Sequence, residues 1–178
     1  MALIQLPKQH GAWSILAAAF VLGSWFGGGP NFASLVLLIA VISAFIGWET
    51  YSGVIRSANT AHVINKNMLR SAHLLIALSI LLGLWLVIAK GLKDMLLIGA
   101  SALWLGWIGL ELERRRKSHT IIGEFAGIAA MSLIAPAAEY CASSLLSGRT
   151  FGIYLMCTAF FGGSVFHVRF VVRQHKTR

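Results

Sequence analysis

The 178-residue chain is 57% hydrophobic and 12% charged, with a mean hydropathy of +0.76. Soluble domains carry about a quarter charged residues, so this chain has too few polar side chains to cover itself in water, which excludes an ordinary soluble domain. Lysine and arginine number 15 against 6 acidic residues, an excess that in a membrane protein indicates topology before nucleic-acid binding. We therefore expect one transmembrane domain over residues 1–178, with membrane lipids around it and no nucleic-acid partner.

Uncharged segments predict six transmembrane helices. Gly11 to Trp48 contains no charged side chain over 38 residues and would be about 57 Å long as one helix, nearly twice the hydrocarbon thickness of about 30 Å. It must turn back, and Gly27 to Asn31 is the natural break. Continuous apolar runs favour helices over barrel strands. The fold class is therefore all-α, a polytopic bundle with helices at about 12–27, 32–54, 71–89, 95–112, 121–145 and 150–172.

The basic residues predict the orientation. Twelve of the fifteen fall on the N-terminus, the second and fourth loops and the C-terminus, whereas Lys90, Lys93 and Arg149 fall on the other side. The positive-inside rule then places both termini in the cytoplasm. A cleaved signal peptide is the competing interpretation of the first apolar stretch, but no convincing small-residue cleavage site follows it.

Candidate ligand-binding residues concentrate on the predicted cytoplasmic side. One interpretation is a polar pocket for an anionic head group, in which cations hold the anion, His10 donates a hydrogen bond or a proton, and Glu124 orients a base. The other is a set of charges that only enforce topology and pair locally, as Glu111 and Arg115 would at i,i+4 spacing. The candidates are Lys8, Gln9, His10, Arg56, Lys66, Arg70, Arg115, Glu124 and Arg169.

Two further functions have weaker support. His73 and His167 could face each other near the cytoplasmic side and ligate haem. Pro136 is expected to bend the fifth helix, and Glu139 three residues later gives a distant likeness to a transporter helix. We predict no metal site, because no two histidines lie three or four residues apart within a helix, and no catalytic residue is identified.

The string Leu6-Pro7-Lys8-Gln9-His10-Gly11-Ala12-Trp13 resembles the opening motif of the YwiC-like membrane protein family. The segment Glu113 to Pro136, with its basic run followed by Gly123-Glu124-Phe125-Ala126-Gly127, is similar to the family's central part, and Gly163 to Arg173 is similar to its last helix. The resemblance implies a multi-pass protein of the bacterial cytoplasmic (inner) membrane and brings no established biochemical activity.

The organisation is more distantly similar to the UbiA-type prenyltransferases. That resemblance implies a pocket that opens to the cytoplasm and holds Mg²⁺ and an isoprenyl diphosphate with aspartate-rich motifs. This chain contains one aspartate, Asp94, on the predicted outer side, and carries Arg56, Lys66 and Arg70 where the carboxylates would be expected. Magnesium-dependent prenyl transfer is therefore disfavoured, and whether the protein is an enzyme stays open.

The sequence favours a membrane protein whose cytoplasm-facing pocket binds an anionic phospholipid, isoprenoid or quinone-type head group. The alternative is an accessory or structural subunit of a larger membrane complex, for which the small residues between Gly123 and Ala138 would permit close helix packing. A small-molecule transporter and a haem-binding protein come after it.

Overall fold

A computed structural model describes residue 4 and residues 10–61, 65–115 and 120–176, with side chains left out at 10, 59–61 and 165–176. The described part forms helices only, which confirms the all-α prediction. The helices are α1 (His10–Phe26), α2 (Phe32–Ala61), α3 (Lys66–Lys90), α4 (Met95–Arg114), α5 (Ile121–Ser132), α6 (Ile134–Ser143) and α7 (Gly148–Lys176).

Length and apolar composition make this a membrane protein. Among the described residues, four segments are long and apolar enough to cross a bilayer, and a shorter apolar helix covers Gly11–Phe26. The four segments are Phe32–Ala58, Lys66–Lys90, Met95–Arg114 and Ile121–Ser143. In the most apolar 18-residue stretch of each helix, only 11% of the residues of α3 and 6% of those of α4 are buried inside the bundle. Both helices therefore present mostly apolar side chains outward, as lipid contact requires.

The turn between α1 and α2 lies where the glycines predict it. Gly28 and Gly29 have φ values of 103° and 107°, a region that side chains with a Cβ avoid. Asn31 then begins α2, because its Oδ1 accepts from the Ser34 backbone N–H at 2.9 Å. Its Nδ2 donates to the Cys141 carbonyl at 2.9 Å, which attaches the turn to the end of α6.

The fifth predicted helix, 121–145, is divided in the structure into α5 and α6 at Leu133. Pro136 explains the break, because it lacks an N–H and its ring would clash with the carbonyl of Ser132 in a continuous helix. As the third residue of α6, Pro136 occupies a first-turn position that needs no intrahelical donor. The bend expected at Pro136 therefore takes the form of a helix break three residues earlier.

The short helix α6 lies at the centre of the bundle. Eight consecutive residues, Ile134 to Cys141, are all buried. A Cβ placed on Gly23 would overlap the Ala135 backbone carbonyl, and one placed on Gly27 would overlap the Ala142 side chain. These pairings show that α1 runs parallel to α6 and that the two backbones approach closely through Gly23 and Gly27, a spacing common in membrane helix packing.

Candidate functional site

Charged side chains gather at the end of the bundle where α2 and α4 finish and α3 and α5 begin. We call this the basic end, and its described charged residues are Glu49, Arg56, Lys66, Arg70, Glu111, Glu113, Arg114, Arg115 and Glu124. The opposite end is where α1, α3 and α6 finish and α2, α4 and α7 begin.

Arg56 links two helices at the basic end. Its Nη2 donates to Glu49 Oε1 at 2.7 Å within α2, and its Nη1 lies 3.6 Å from Glu113 Oε1 on α4. The carboxylate side chains are 21% and 12% exposed, so they are shielded from water on most of their surface. The two glutamates offset the Arg56 charge, and Arg56 therefore serves to position α2 against α4. Glu49 and Arg56 are seven residues apart and so share one face of α2, whereas nothing in the sequence indicated Glu113 as a partner.

Arg115 forms the local pair that its spacing predicts. Its Nε donates to Glu111 Oε1 at 2.7 Å, with 66% and 37% of the two side chains exposed. Exposed pairs of this kind contribute about 0.3–0.5 kcal/mol to a helix. The pair extends α4 beyond the apolar segment and leaves Arg115 accessible at the surface.

Lys66 and Arg70 lie in the first two turns of α3, four residues apart and both exposed. Within the part of the chain that the structure describes, neither forms an ion pair. Asn65 begins the helix, and its side chain accepts from the backbone N–H groups of Asn67 and Met68 at 3.1 and 3.3 Å. The cap holds the first turn in place, so the two cations project from one fixed helical face.

The remaining predicted residues are placed only in part. Glu124 lies half-buried in the first turn of α5, where a carboxylate favours the positive helix end. His10 opens α1 and Arg169 belongs to α7, but their side chains lie outside the described residues, as do Lys8 and Gln9 entirely. For haem, His73 packs near Tyr51 with ring centroids 6.0 Å apart, and the His167 side chain again lies outside the described residues.

A buried ion pair lies at the opposite end. Glu139 is fully buried, and its Oε1 accepts from Arg149 Nε at 3.1 Å and from Nη2 at 2.9 Å. Its Oε2 has no hydrogen-bond partner among the described residues. Sequence reasoning treated Glu139 and Arg149 separately and missed the pair. Opposite charges on either side of the short loop from α6 to α7 were the available signal.

Polar contacts also fix the start of α4 at this end. The Tyr140 hydroxyl lies 3.2 Å from Asp94 Oδ2, to which it donates, and 3.3 Å from the Asp94 backbone N–H, from which it accepts. Asp94 directly precedes α4, and Tyr140 belongs to buried α6. The contact therefore attaches α4 to the centre of the bundle.

A cavity of about 300 Å³ opens at the same end of the bundle. It is lined by Asn31, Phe32, Ala33, Lys90, Leu92, Cys141 and Ser144. Lys90 Nζ lies 5.8 Å from the Phe32 ring centroid and 5.9 Å from that of Trp85, within the range of cation–π attraction. The sequence predicted a polar pocket at the basic end and gave no sign of this one, because its residues come from three separate parts of the chain.

Comparisons with known proteins agree with the motif at the N-terminus. The family model described as YwiC-like protein matches residues 6–139. The chain is 28% identical over 174 residues to "Uncharacterized protein YwiC" of Bacillus subtilis (strain 168). The aligned segment covers 97% of this chain and 69% of that relative. No solved structure matches.

Proposed function

This chain belongs to the YwiC-like protein family, and from that premise we propose that it is a multi-pass protein of the bacterial cytoplasmic membrane that binds an anionic lipid head group at its basic end. The head group belongs to a phospholipid or to an isoprenoid or quinone-type lipid. Both termini and the basic end face the cytoplasm in this proposal.

The observation that carries the proposal is the pair of cations on α3. Lys66 and Arg70 are exposed on one face and form no ion pair within the described residues, whereas Arg56 and Arg115 are engaged with glutamates. An arginine guanidinium can bind two phosphate oxygens at once, and a lysine ammonium adds a point charge. The first two turns of α3 therefore offer direct cationic contacts to the phosphate of a head group.

The distribution of acids supports binding through cations instead of through a bound divalent ion. The one aspartate of the chain, Asp94, lies at the opposite end with Tyr140. At the basic end, Glu49 and Glu113 face Arg56, and Glu111 faces Arg115. In the proposal Lys66 and Arg70 bind the anion directly and Arg56 positions the helices. Further contacts come from Lys8, Gln9, His10, Arg115 and Arg169, and Glu124 orients a base.

Native mass spectrometry of the full chain tests this proposal. We expect the purified protein to retain an anionic lipid, and a K66Q/R70Q variant to lose about 10-fold or more in affinity for added phosphatidylglycerol, as expected when two charge-assisted contacts of about 1 kcal/mol each are removed. Zwitterionic phosphatidylcholine serves as the lipid control. The matched protein control is K93Q, which removes an exposed lysine at the opposite end. Equal affinity of wild type and K66Q/R70Q would contradict the proposal.

The second candidate is an accessory subunit of a larger membrane complex. The observation that favours it is the exposure of α4. Only 6% of its most apolar stretch is buried, and Leu103, Trp104 and Trp107 are exposed. Aromatic side chains in such a row are well suited to packing against another membrane helix. The same spectra, recorded from a gentle detergent, separate the two candidates, because a bound subunit adds its own mass to the 19.3 kDa chain.

A further inference from the structure

The two acids at the opposite end are already engaged. Asp94 accepts a hydrogen bond from the Tyr140 hydroxyl, and its backbone carbonyl accepts from the Leu97 N–H at the start of α4. Glu139 is paired with Arg149. Lys90, the last residue of α3, forms no ion pair with any described residue. Its ammonium lies beside the contacting rings of Phe32 and Trp85, 5.8 and 5.9 Å from their centroids. The cavity beside it thus has a cation in its wall and no carboxylate among its lining residues.

The cavity has room for a small ligand. Its volume of about 300 Å³ is at the lower end of the range for such pockets, about 300–1,000 Å³. Lys90 provides three N–H donors and Ser144 provides a hydroxyl, whereas Phe32 and Leu92 provide apolar surface. Asn31 is occupied, because it bonds the Cys141 carbonyl and the Ser34 N–H. Among the side chains of the wall, Lys90 and Ser144 therefore offer the donors, which suits an anion.

The backbone at Ser144 adds to this picture. Ser144 ends α6 with a φ of 58°, the left-handed region in which glycine is preferred. Glycine would relieve the strain, yet the position carries a hydroxyl that lines the cavity. A ligand that accepts a hydrogen bond from this hydroxyl would explain why serine, and not glycine, occupies the position.

The position expected for the cavity in the bilayer favours phosphate as the anion. Lys90 ends a 25-residue apolar helix, so we expect its ammonium where the hydrocarbon meets the head groups. Phe32 and Trp85 are exposed at the same level, as aromatic residues commonly are at this interface. Phosphate is the anion that every bilayer places at this depth.

We propose that the cavity formed by Lys90, Ser144, Asn31 and Phe32 binds a phosphate group, with the Lys90 ammonium as the main contact. The phosphodiester of a phospholipid and free inorganic phosphate share this chemistry. The site goes beyond the function proposed above, since it uses other residues at the other end of the bundle and stands whether or not the basic end binds lipid.

The experiment measures binding of two probes to the full-length protein in detergent. Native mass spectrometry follows phosphatidylglycerol, and isothermal titration calorimetry follows inorganic phosphate. We expect K90Q to weaken binding of at least one probe about 10-fold, as the loss of a charge-assisted contact does, and K93Q to leave it unchanged. S144G keeps the backbone conformation and removes the hydroxyl, so it is expected to weaken binding about threefold while the protein stays folded.

The two arms separate the sources and the two proposals. Lys90-dependent binding of phosphatidylglycerol alone identifies a lipid site, and Lys90-dependent binding of inorganic phosphate identifies a site for the free anion. Recording the lipid titration also in the K66Q/R70Q background removes any contribution of the basic end. Equal binding by wild type, K90Q and S144G overturns this inference, as does an equal loss in K93Q, and neither result bears on Lys66 and Arg70.

Discussion

At the scale of single residues, Arg56 and Arg149 both pair with glutamates but contribute differently to stability. Arg56 contacts two glutamates that keep some exposure to water, and it joins α2 to α4. Arg149 contacts one glutamate that is fully buried, so its removal would leave a carboxylate in the interior with no donor among the described residues. An isolated buried charge is far more costly than an exposed one.

We therefore expect R149M to lower the free energy of unfolding by about 2 kcal/mol. This is less than the 3–5 kcal/mol typical for breaking a fully buried pair, because 57% of the Arg149 side chain is exposed and water screens it. The double variant E139M/R149M removes both charges and should be more stable than R149M alone. Reversible unfolding in detergent micelles, followed by circular dichroism, measures all three proteins.

The exposed Glu111–Arg115 pair provides the matched control for the R149M variant. The Arg115 and Glu111 side chains are 66% and 37% exposed, so R115M should change the unfolding free energy by no more than about 0.5 kcal/mol. If R149M and R115M are equally stable, or if E139M/R149M is the least stable protein of the series, the Glu139–Arg149 pair does not have the role described.

At the scale of elements, α6 decides the arrangement of the bundle. It exists as a separate helix because Pro136 interrupts the hydrogen-bond ladder, and it is central because its small residues admit α1 closely. Sequence reasoning located the proline and the small-residue stretch. It could not place α1 against α6, because that requires knowing which of several small-residue faces meets which partner.

Gly23 tests the close approach of α1 and α6. An alanine in an exposed helix is favoured over glycine by about 0.5–1 kcal/mol, but a Cβ at Gly23 would overlap the Ala135 backbone. We expect G23A to destabilise the protein by about 1–3 kcal/mol, the usual cost of overpacking. Thermal unfolding in detergent gives the comparison with G99A on α4, where a Cβ meets nothing within 4 Å.

The criterion is whether each variant is more or less stable than the wild type. G99A should be as stable as the wild type or more stable, and G23A less stable. If G23A unfolds at the temperature of G99A, the two helices do not pack through this glycine.

At the scale of the whole molecule, the two ends differ in how their charges are arranged. The basic end carries exposed cations, including Lys66 and Arg70 on α3. The opposite end carries a buried ion pair, an Asp94–Tyr140 contact and the cavity beside Lys90. Membrane insertion responds to the exposed basic residues that flank the spans, so we propose that the basic end remains in the cytoplasm.

Membrane-impermeant maleimide tests that orientation. N67C places a thiol at the exposed basic end and K93C places one at the exposed opposite end. We expect K93C to react in intact spheroplasts and N67C to react only after permeabilisation. The native Cys141 and Cys157 are 1% and 2% exposed, so the parent protein serves as an unlabelled control. The reverse labelling pattern would invert the proposed orientation.

The sequence by itself determined the all-helical membrane character, the turn at Gly27 to Asn31, the local Glu111–Arg115 pair and the family. These follow from composition, from backbone preference or from residues close together in the chain, so neighbouring residues suffice to predict them. Only the tertiary structure decided that Glu113 reaches Arg56, that α1 packs on α6 and that Asn31, Lys90 and Ser144 share a cavity. In a chain this uniformly apolar, hydrophobicity does not distinguish one helix face from another. Which helices meet depends on the fit of small side chains and backbone, and that becomes visible only when the helices are packed together.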